Sequence, residues 1–483
     1  WHRHCCPVFG NSVPGAMGCG ASVVARYAEG GGMVTWGNRL MGGSLESTAW
    51  HPDVKEQISC GVLVLQVYAT RGAFAVVLDG LGIFTWGSPD SGGDSRSVRD
   101  QIRGSNVQVK QVCSTRDAFA ALLEGPGVVA WGSKHKGGDC SSVGKQLHGN
   151  NASVRQIYAT GHAFAAVLDD RGIVTWGDAD KGAGNPAVKS QLMGLGPVTE
   201  VYATRDDPDR GAFCATMAGG GLVTWGPPKG EDIFNVKRRL RGLVKIKQIS
   251  STRGAFAALL MDGSVVTWGI ADFGGDSSKM KDKLNGKPPV QKLFSTERAF
   301  ASMLTDGSVA TWGHSEFGGD SSAVQFELSG VHTVNSLYAT SAAFAAKLEG
   351  YGVVTWGHPA LGGDSSKVRE LLCGHPPVAQ VYSNDGAFAA VLETGRLVTW
   401  GDQTMGGESK AAERHFEKNK SHVKRMCTTE RAFAATLQGG GVVTWGHPDF
   451  GGDSAAARRR LNGRAQVRQI FATRGAFAAI LDA

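Results

Sequence analysis

One aspartate recurs at the same place in six copies of a repeated sequence, and carboxylates of this kind could take part in acid-base chemistry. Catalysis requires unlike groups that converge on one place, whereas these carboxylates occupy equivalent positions of successive copies. Most of them precede serines, and a short polar side chain at such a position caps the first amides of a helix. We therefore interpret the set as structural N-caps: Asp94, Asp139, Asp276, Asp320, Asp364 and Asp453.

The other residues with possible chemistry are potential metal ligands near the beginning of the chain. His2, His4, Cys5 and Cys6 lie close together, but no second pair follows at the spacing of a structural zinc site. The sequence also contains no nucleophile elbow, P-loop or HExxH motif. We predict that the protein is not an enzyme and that it uses no cofactor and no metal.

The sequence around these aspartates is a repeat marked by a Trp-Gly pair. Successive tryptophans are 43 to 50 residues apart, which is typical of a repeat architecture. In nine copies an Ala-Phe pair precedes the Trp-Gly pair, and its phenylalanine stands 12 residues before the tryptophan. A fixed interval between two short apolar runs joined by glycine-containing turns predicts a β-hairpin. The tryptophans, which we predict to be buried structural residues, are Trp36, Trp86, Trp131, Trp176, Trp225, Trp268, Trp312, Trp356, Trp400 and Trp445.

Each repeat has two further segments around this hairpin. An apolar run such as QIYAT from Gln156 precedes it and predicts a third strand. After the tryptophan comes GGDSS, followed by apolar pairs at i, i+4 spacing such as Met280 and Leu284, which predict a short helix of two or three turns. We expect a three-stranded antiparallel meander whose outer edge is covered by this helix.

The composition favours one repetitive domain. The 483 residues are 42% hydrophobic and 19% charged, with no apolar run long enough to cross a membrane as a helix. We assign residues 1–22 to a non-repeat segment and residues 23–483 to the repeat domain. Nine scattered cysteines without a CxxC pair predict no disulfide framework and favour a reducing compartment. Since the chain begins without methionine and stops inside a predicted hairpin, we expect a processed or partial product.

Two neighbouring repeats depart from the pattern and suggest a surface used for binding. GGDSS is lost after Trp176 and after Trp225, and a basic run, VKRRLRGLVKIK, begins at Val236. One interpretation is a solvated helix face, and the other is a docking patch for an acidic protein surface or a polyanion. For the second, the predicted partner-binding residues are Lys229, Lys237, Arg238, Arg239, Arg241, Lys245 and Lys247. Three antiparallel strands bring the turns before the hairpins and the GGDSS loops to one face of the repeats, and we expect this basic stretch on the rim of that face.

The VTWG strand end, the glycine pair after it and the VxQVYAT-like strand together resemble the repeat of the regulator of chromosome condensation family. The resemblance extends from about Val23 to Asp482 and implies an all-β, propeller-like ring of about ten blades. In a closed ring the N-terminal hairpin would complete the C-terminal repeat, whose Phe477 has no tryptophan strand after it. An open spiral stack of the same repeats is the alternative. The chain departs from the family in having GGDSS for its glycine-glutamine-leucine-glycine loop and alanine for its usual histidine. It also lacks a long insertion like the wedge of the exchange factor, so exchange activity is not carried over.

The fold does not determine the function, because members of the family that the chain resembles serve as exchange factors, light sensors, ligase adaptors and enzyme inhibitors. We predict a non-enzymatic protein-interaction scaffold. The alternative is an architectural accessory subunit of a large multiprotein assembly. A nucleotide-exchange or chromatin-binding role has less support, since aromatic residues are not interleaved with the basic runs as nucleic-acid binding requires.

Overall fold

The computed structural model describes residues 33–44, 57, 62, 64–125, 127–148, 153–169, 172–183, 197–204, 211–218, 222–226, 245–419, 422–439, 441–462 and 466–481. They fall into two compact units. The central unit contains residues 245–453, and the terminal unit contains the described parts of 15–244 together with those of 454–483.

The structure consists mainly of short strands. In the first part of the terminal unit these are β1 (Met33–Gly37), β2 (Val64–Ala69), β3 (Ala73–Leu78), β4 (Gly82–Gly87), β5 (Val109–Ser114), β6 (Ala118–Leu123), β7 (Gly127–Gly132), β8 (Val154–Ala159), β9 (Ala163–Leu168), β10 (Ile173–Gly177), β11 (Val198–Ala203), β12 (Phe213–Met217) and β13 (Leu222–Trp225). In the central unit they are β14 (Ile246–Ser251), β15 (Ala255–Leu260), β16 (Val265–Gly269), β17 (Val290–Ser295), β18 (Ala299–Leu304), β19 (Val309–Gly313), β20 (Val334–Ala339), β21 (Ala343–Leu348), β22 (Gly352–Gly357), β23 (Val378–Ser383), β24 (Ala387–Leu392), β25 (Leu397–Gly401), β26 (Val423–Thr428), β27 (Ala432–Leu437) and β28 (Val442–Gly446). The last two strands, β29 (Val467–Ala472) and β30 (Ala476–Leu481), return to the terminal unit.

These strands form ten three-stranded antiparallel sheets, five in each unit, which confirms the predicted meander. In the meander that ends at Trp268, β15 pairs with β16 so that Phe256 lies opposite Trp268. The two rings stack with centroids 5.3 Å apart. Because this cross-strand pair recurs in every sheet, a change in the length of the hairpin would break its register.

The tenth sheet is completed by the two ends of the repeat region. Strand β1 pairs with β30, with Trp36 opposite Phe477. The last Ala-Phe strand, which has no tryptophan strand after it in the sequence, therefore obtains one from the N-terminal side. This confirms the sequence prediction that the N-terminal repeat completes the C-terminal one.

The segment after GGDSS is shorter than predicted. Most copies form one 3-10 turn and then about one turn of helix. At Ser278–Met280 the 3-10 turn is followed only by a hydrogen-bonded turn. The second apolar residue is buried as expected, with Leu284 only 3% exposed. The segment ends early because the chain then joins the third strand: the Val265 amide donates to the Leu284 carbonyl at 2.9 Å, and Ser264 bridges to Asn285. The expected two or three helical turns are therefore wrong for most repeats.

The helical segments after the third strand have these bounds. The α-helices are α1 (Arg99–Ile102), α2 (Gly144–His148), α3 (Arg369–Leu372), α4 (Lys410–Asn419) and α5 (Arg458–Leu461), and a π-helical turn spans Glu327–Val331. The 3-10 turns before them are Arg96–Val98, Ser141–Val143, Ser278–Met280, Ser322–Val324, Ser366–Val368 and Ala455–Ala457. Among the helices of the described ranges only α4, with ten residues, is as long as predicted.

A second 3-10 turn, which the sequence analysis did not predict, follows nine of the ten Trp-Gly pairs. The residues after the remaining pair, at Trp225, lie outside the described ranges. These turns are Arg39–Met41, Pro89–Ser91, Lys134–Lys136, Ala179–Lys181, Ala271–Phe273, Ser315–Phe317, Pro359–Leu361, Gln403–Met405 and Pro448–Phe450. Each ends at a glycine with positive φ, which is the first of the glycine pair except at Gly182, where alanine follows. At Gly274, φ is +87° and a Cβ would lie 2.6 Å from the ring of Phe300, so only glycine fits.

Candidate interaction surface

The ten tryptophans belong to the buried frame of the repeats, by which we mean the stacked Phe-Trp pairs and the strands that contain them. All of them are buried, with exposed fractions of at most 5%, as predicted. Their indole nitrogens have an additional role. The Trp312 Nε1 donates to the carbonyl of Gly274 at 3.1 Å, and Gly274 is the first glycine of the pair in the preceding repeat. The same bond is made by Trp86, Trp131, Trp176, Trp356 and Trp400.

Three tryptophans lack this bond. The Nε1 atoms of Trp225, Trp268 and Trp445 are buried without a hydrogen-bond partner. Trp225 and Trp268 follow the two repeats in which GGDSS is lost, and Trp445 follows GGESK. The glycine loop one repeat upstream differs from GGDSS in all three cases, but it also differs for Trp86, which follows GGSLE and still makes the bond. The loop sequence therefore does not by itself predict the bond.

Backbone hydrogen bonds also join neighbouring meanders at the turn before each hairpin. In the central unit the Arg253 amide donates to the Glu297 carbonyl at 2.9 Å, and the Glu297 amide donates to that of Ser341 at 2.9 Å. The series continues through Asp385 to Glu430. The terminal unit has the same arrangement from Arg71 through Arg116 to Gly161. Each turn is thus held by its neighbour as well as by its own sheet.

The turns and the loops after the third strand lie at one edge of each meander, as three antiparallel strands require. The Thr252 hydroxyl donates to the carbonyl of Phe273 at 2.9 Å, and equivalent bonds recur in the other repeats. We call this side the turn edge, and the opposite side, where the hairpins reverse, the tip edge.

Charges on the turn edge are paired locally. Arg253 forms an ion pair with Glu297 of the next meander, and Asp117 forms one with Lys136. Burial by itself would raise the pKa of Asp117, but hydrogen bonds from Lys136 and Ser91 hold that pKa below its ordinary value. These carboxylates and cations stabilise the edge against each other.

The recurrent aspartates bind backbone amides. Asp276 Oδ1 accepts from the Ser278 amide at 2.8 Å, and Asp94, Asp139, Asp320 and Asp364 make the same bond. This bond, from the backbone amide of Ser141, lowers the pKa of Asp139. A structural role is confirmed for these five, but their assignment as N-caps is wrong, because the N-cap is the residue that follows each aspartate. The N-cap serine instead binds the strand, as Ser277 Oγ does at 2.9 Å from Thr267.

The basic docking site predicted from the sequence is only partly visible. Lys229, Lys237, Arg238, Arg239 and Arg241 lie outside the described residues, and their role stays a prediction. Lys245 and Lys247 are exposed at the beginning of β14. Because the Met261 amide at the hairpin reversal donates to the Lys245 carbonyl at 2.9 Å, Lys245 lies on the tip edge. The expectation that the basic stretch would share the turn edge with GGDSS is therefore wrong for this residue.

A polar groove of about 470 Å³ opens between the loops that follow β7 and β10 in the terminal unit. It is lined by Lys134, His135, Asp139, Ser141, Ser142, Gly177, Asp178 and Ala179. Its two carboxylates already accept from backbone amides, Asp139 from Ser141 and Asp178 from Asp180. Burial raises the pKa of the Cys214 thiol elsewhere in this unit, which makes it a poor nucleophile.

Other chemical features of the described residues are few. Cys113 is disulfide-bonded, whereas Cys140, Cys214, Cys373 and Cys427 are free. Within the described ranges no three His, Cys, Asp or Glu side chains are grouped so that they could hold a metal ion. Nor do these ranges include a helix that is long and apolar enough to cross a membrane.

Comparison with known proteins gives matches only among solved structures. No protein-family profile and no curated protein matches the chain. Prp20p of Saccharomyces cerevisiae, the yeast RCC1, matches at 11% identity over 95% of this chain and 93% of its own, with a TM-score of 0.36. Human WBSCR16 matches at 16% identity over 60% and 89%, with a TM-score of 0.34. The CRINKLY WD40 ectodomain of the Arabidopsis thaliana receptor kinase ACR4 matches at 14% identity over 60% and 93%, with a TM-score of 0.32.

All three TM-scores are below 0.5, so the fold class rests on the chain itself. Ten three-stranded antiparallel meanders, with stacked Phe-Trp pairs and short helical segments, define an all-β repeat protein.

Proposed function

We propose that the protein is a non-enzymatic scaffold that presents charged outer segments to a protein partner. We call the segment between the glycine loop of one repeat and the first strand of the next the outer segment. The observation that carries this proposal is the contrast between the frame and the outer segments. Frame residues such as the stacked Phe-Trp pair are nearly the same in every repeat and are buried. The three residues between the two apolar positions of each outer segment are mostly exposed, and they differ in charge from one repeat to the next.

The neighbouring meanders are joined in a way that suits a scaffold. Indole-to-carbonyl bonds and turn-to-turn backbone bonds connect successive repeats within each unit. A surface carried by such a frame loses little conformational freedom on binding, which favours affinity. The recurrent carboxylates are engaged by backbone amides, so the proposal includes no catalytic step.

The principal contact in this proposal is the basic segment predicted from the sequence, Lys237 to Lys247, with an acidic protein surface as its partner. The test is capture of partners from a lysate by the whole chain and by the variant R238E/R239E/R241E. A matched control is K279E/K281E/K283E, which makes the same change of net charge on an outer segment of another repeat. We expect the first variant to lose the partner and the control to retain it, with melting temperatures close to that of the parent.

Retention of the partner by R238E/R239E/R241E would contradict the proposed contact. Its release as the salt concentration rises is also expected, because exposed charges are screened. A partner that instead stays bound through stringent washing would favour the alternative of an architectural subunit in a permanent assembly.

A further inference from the structure

The last outer segment of the chain exposes three consecutive arginines. In helix α5 the flanking residues Ala457 and Leu461 are buried, at 6% and 1% exposure. These two positions are four residues apart and lie on the side of the helix that faces the sheet. Arg458, Arg459 and Arg460 between them are all exposed. The sequence pattern therefore places every arginine of the segment in solvent.

These arginines form no ion pair with any residue in the described part of the chain. Other exposed cationic side chains of the described residues do form ion pairs: Arg96 binds Asp94 at 2.7 Å, and Lys410 binds Glu408 at 2.8 Å. Three like charges on adjacent exposed positions repel one another, and nothing on this helix offsets that repulsion. An anionic group supplied by another molecule would offset it.

The equivalent positions of the other described segments have a different charge. The residues at 99–101, 144–146, 281–283, 325–327 and 369–371 carry net charges between −1 and +1, whereas those at 458–460 carry +3. Only Lys237, Arg238 and Arg239 match this in sequence, between Val236 and Leu240. The charge is therefore a property of two particular repeats.

We propose that Arg458, Arg459 and Arg460 form a docking site for an acidic segment of a protein partner, rich in Asp and Glu. The proposal rests on the scaffold function and adds a second site, separate from the one at Lys237 to Lys247. The guanidinium group is planar and binds a carboxylate through two parallel hydrogen bonds, a geometry that lysine cannot reproduce. Three such groups in succession fit several carboxylates of one peptide.

The size of the site favours an acidic peptide over nucleic acid. The α5 helix has four residues, and with a rise of about 1.5 Å per residue the Cα atoms of its three arginines span only roughly 3 Å along the axis. A protein that holds duplex DNA through about 6 to 10 phosphate contacts needs a larger charged surface than three adjacent arginines provide. Single strands also require aromatic platforms, and the strongly exposed large apolar residues within the described ranges include one aromatic residue, Phe326, which lies in the central unit.

The test uses the whole chain carrying R238E/R239E/R241E, so that the other basic segment does not contribute. A fluorescent deca-glutamate peptide is the probe, and binding is measured by anisotropy at low and at physiological salt. Into this background we introduce R458Q/R459Q/R460Q, the conservative triple R458K/R459K/R460K, and the control K279Q/K281Q/K283Q. A single-stranded oligonucleotide of ten phosphates and vesicles containing phosphatidylserine are the competing ligands.

We expect the glutamine triple to weaken peptide binding about tenfold, because each exposed charge pair contributes a factor of about two. The lysine triple should fall between the parent and the glutamine triple, and the control should bind as the parent does. Absence of peptide binding in the background protein, equal binding by the glutamine triple, or tighter binding of the oligonucleotide or the vesicles would each overturn the proposal. None of these results depends on the lysate capture that tests the scaffold function.

Discussion

The hydrogen bond from an indole nitrogen to the glycine loop of the preceding repeat can be tested with two tryptophans that differ in little else. Trp312 donates to the Gly274 carbonyl at 3.1 Å, whereas the buried Nε1 of Trp268 has no partner. Both side chains are nearly inaccessible, at 4% and 2% exposure, and both stack on their phenylalanine at 5.3 Å. Replacing each by Phe removes a comparable volume at the same position of the meander.

The difference between the two variants isolates the hydrogen bond. In Trp312→Phe the buried Gly274 carbonyl loses its donor, which costs about 1 to 2 kcal/mol of unfolding free energy. In Trp268→Phe no bond is lost, because the N–H that is removed is unpaired. The cost of the smaller ring is similar in both and cancels in the difference. We therefore expect Trp312→Phe to be less stable than Trp268→Phe by about 1 to 2 kcal/mol.

The measurement is guanidinium unfolding followed by far-UV circular dichroism, which does not depend on the fluorescence of the remaining tryptophans. Trp356→Phe is a replicate, since its indole donates to the Gly318 carbonyl at 3.0 Å, and it should behave like Trp312→Phe. Equal losses for the bonded and unbonded positions, within about 0.5 kcal/mol, would refute the argument that these bonds stabilise the contact between repeats.

Three further predictions concern the core and the turn edge. Trp268→Ala should lower the unfolding free energy by roughly 3 to 5 kcal/mol, as for other buried aromatic residues, and a loss below about 1 kcal/mol in chemical unfolding would contradict its core role. A double-mutant cycle on Arg253 and Glu297 should give a coupling of roughly 0.5 to 1 kcal/mol that decreases with salt, since the pair is partly exposed; a salt-independent coupling would argue against an ionic contact. Because the pKa of Asp117 is lowered in the folded state, its contribution is present above the unfolded pKa of about 4 and is lost as the pH falls further. The advantage in Tm of the parent over Asp117→Asn should accordingly disappear below about pH 4, and an advantage that persists there would exclude this linkage.

The repeat, the meander and the buried core could all be predicted from residue types and their spacing. A fixed interval between Phe and Trp specifies a hairpin because opposite residues in two strands are locked by register, and β15 and β16 pair accordingly. The structural role of Asp276 followed from its repetition. The strand that contains Phe477 has no tryptophan strand after it in the sequence, and this likewise predicted that the N-terminal strand β1 would pair with β30.

The sequence could not specify contacts that depend on the packing of one repeat on another. The indole of Trp312 reaches a carbonyl 38 residues away, and the Arg253 amide reaches the carbonyl of Glu297. A backbone carbonyl carries no side-chain signature, so neither bond is visible in residue types. The outer segments became shorter than their i, i+4 spacing suggested because backbone pairing at Val265 ends them. Lys245 lies on the tip edge because it precedes β14, and the start of β14 adjoins the hairpin reversal in the antiparallel pairing with β15. The predicted meander already implies this edge for the start of its first strand, so here the expectation was inconsistent with the predicted fold.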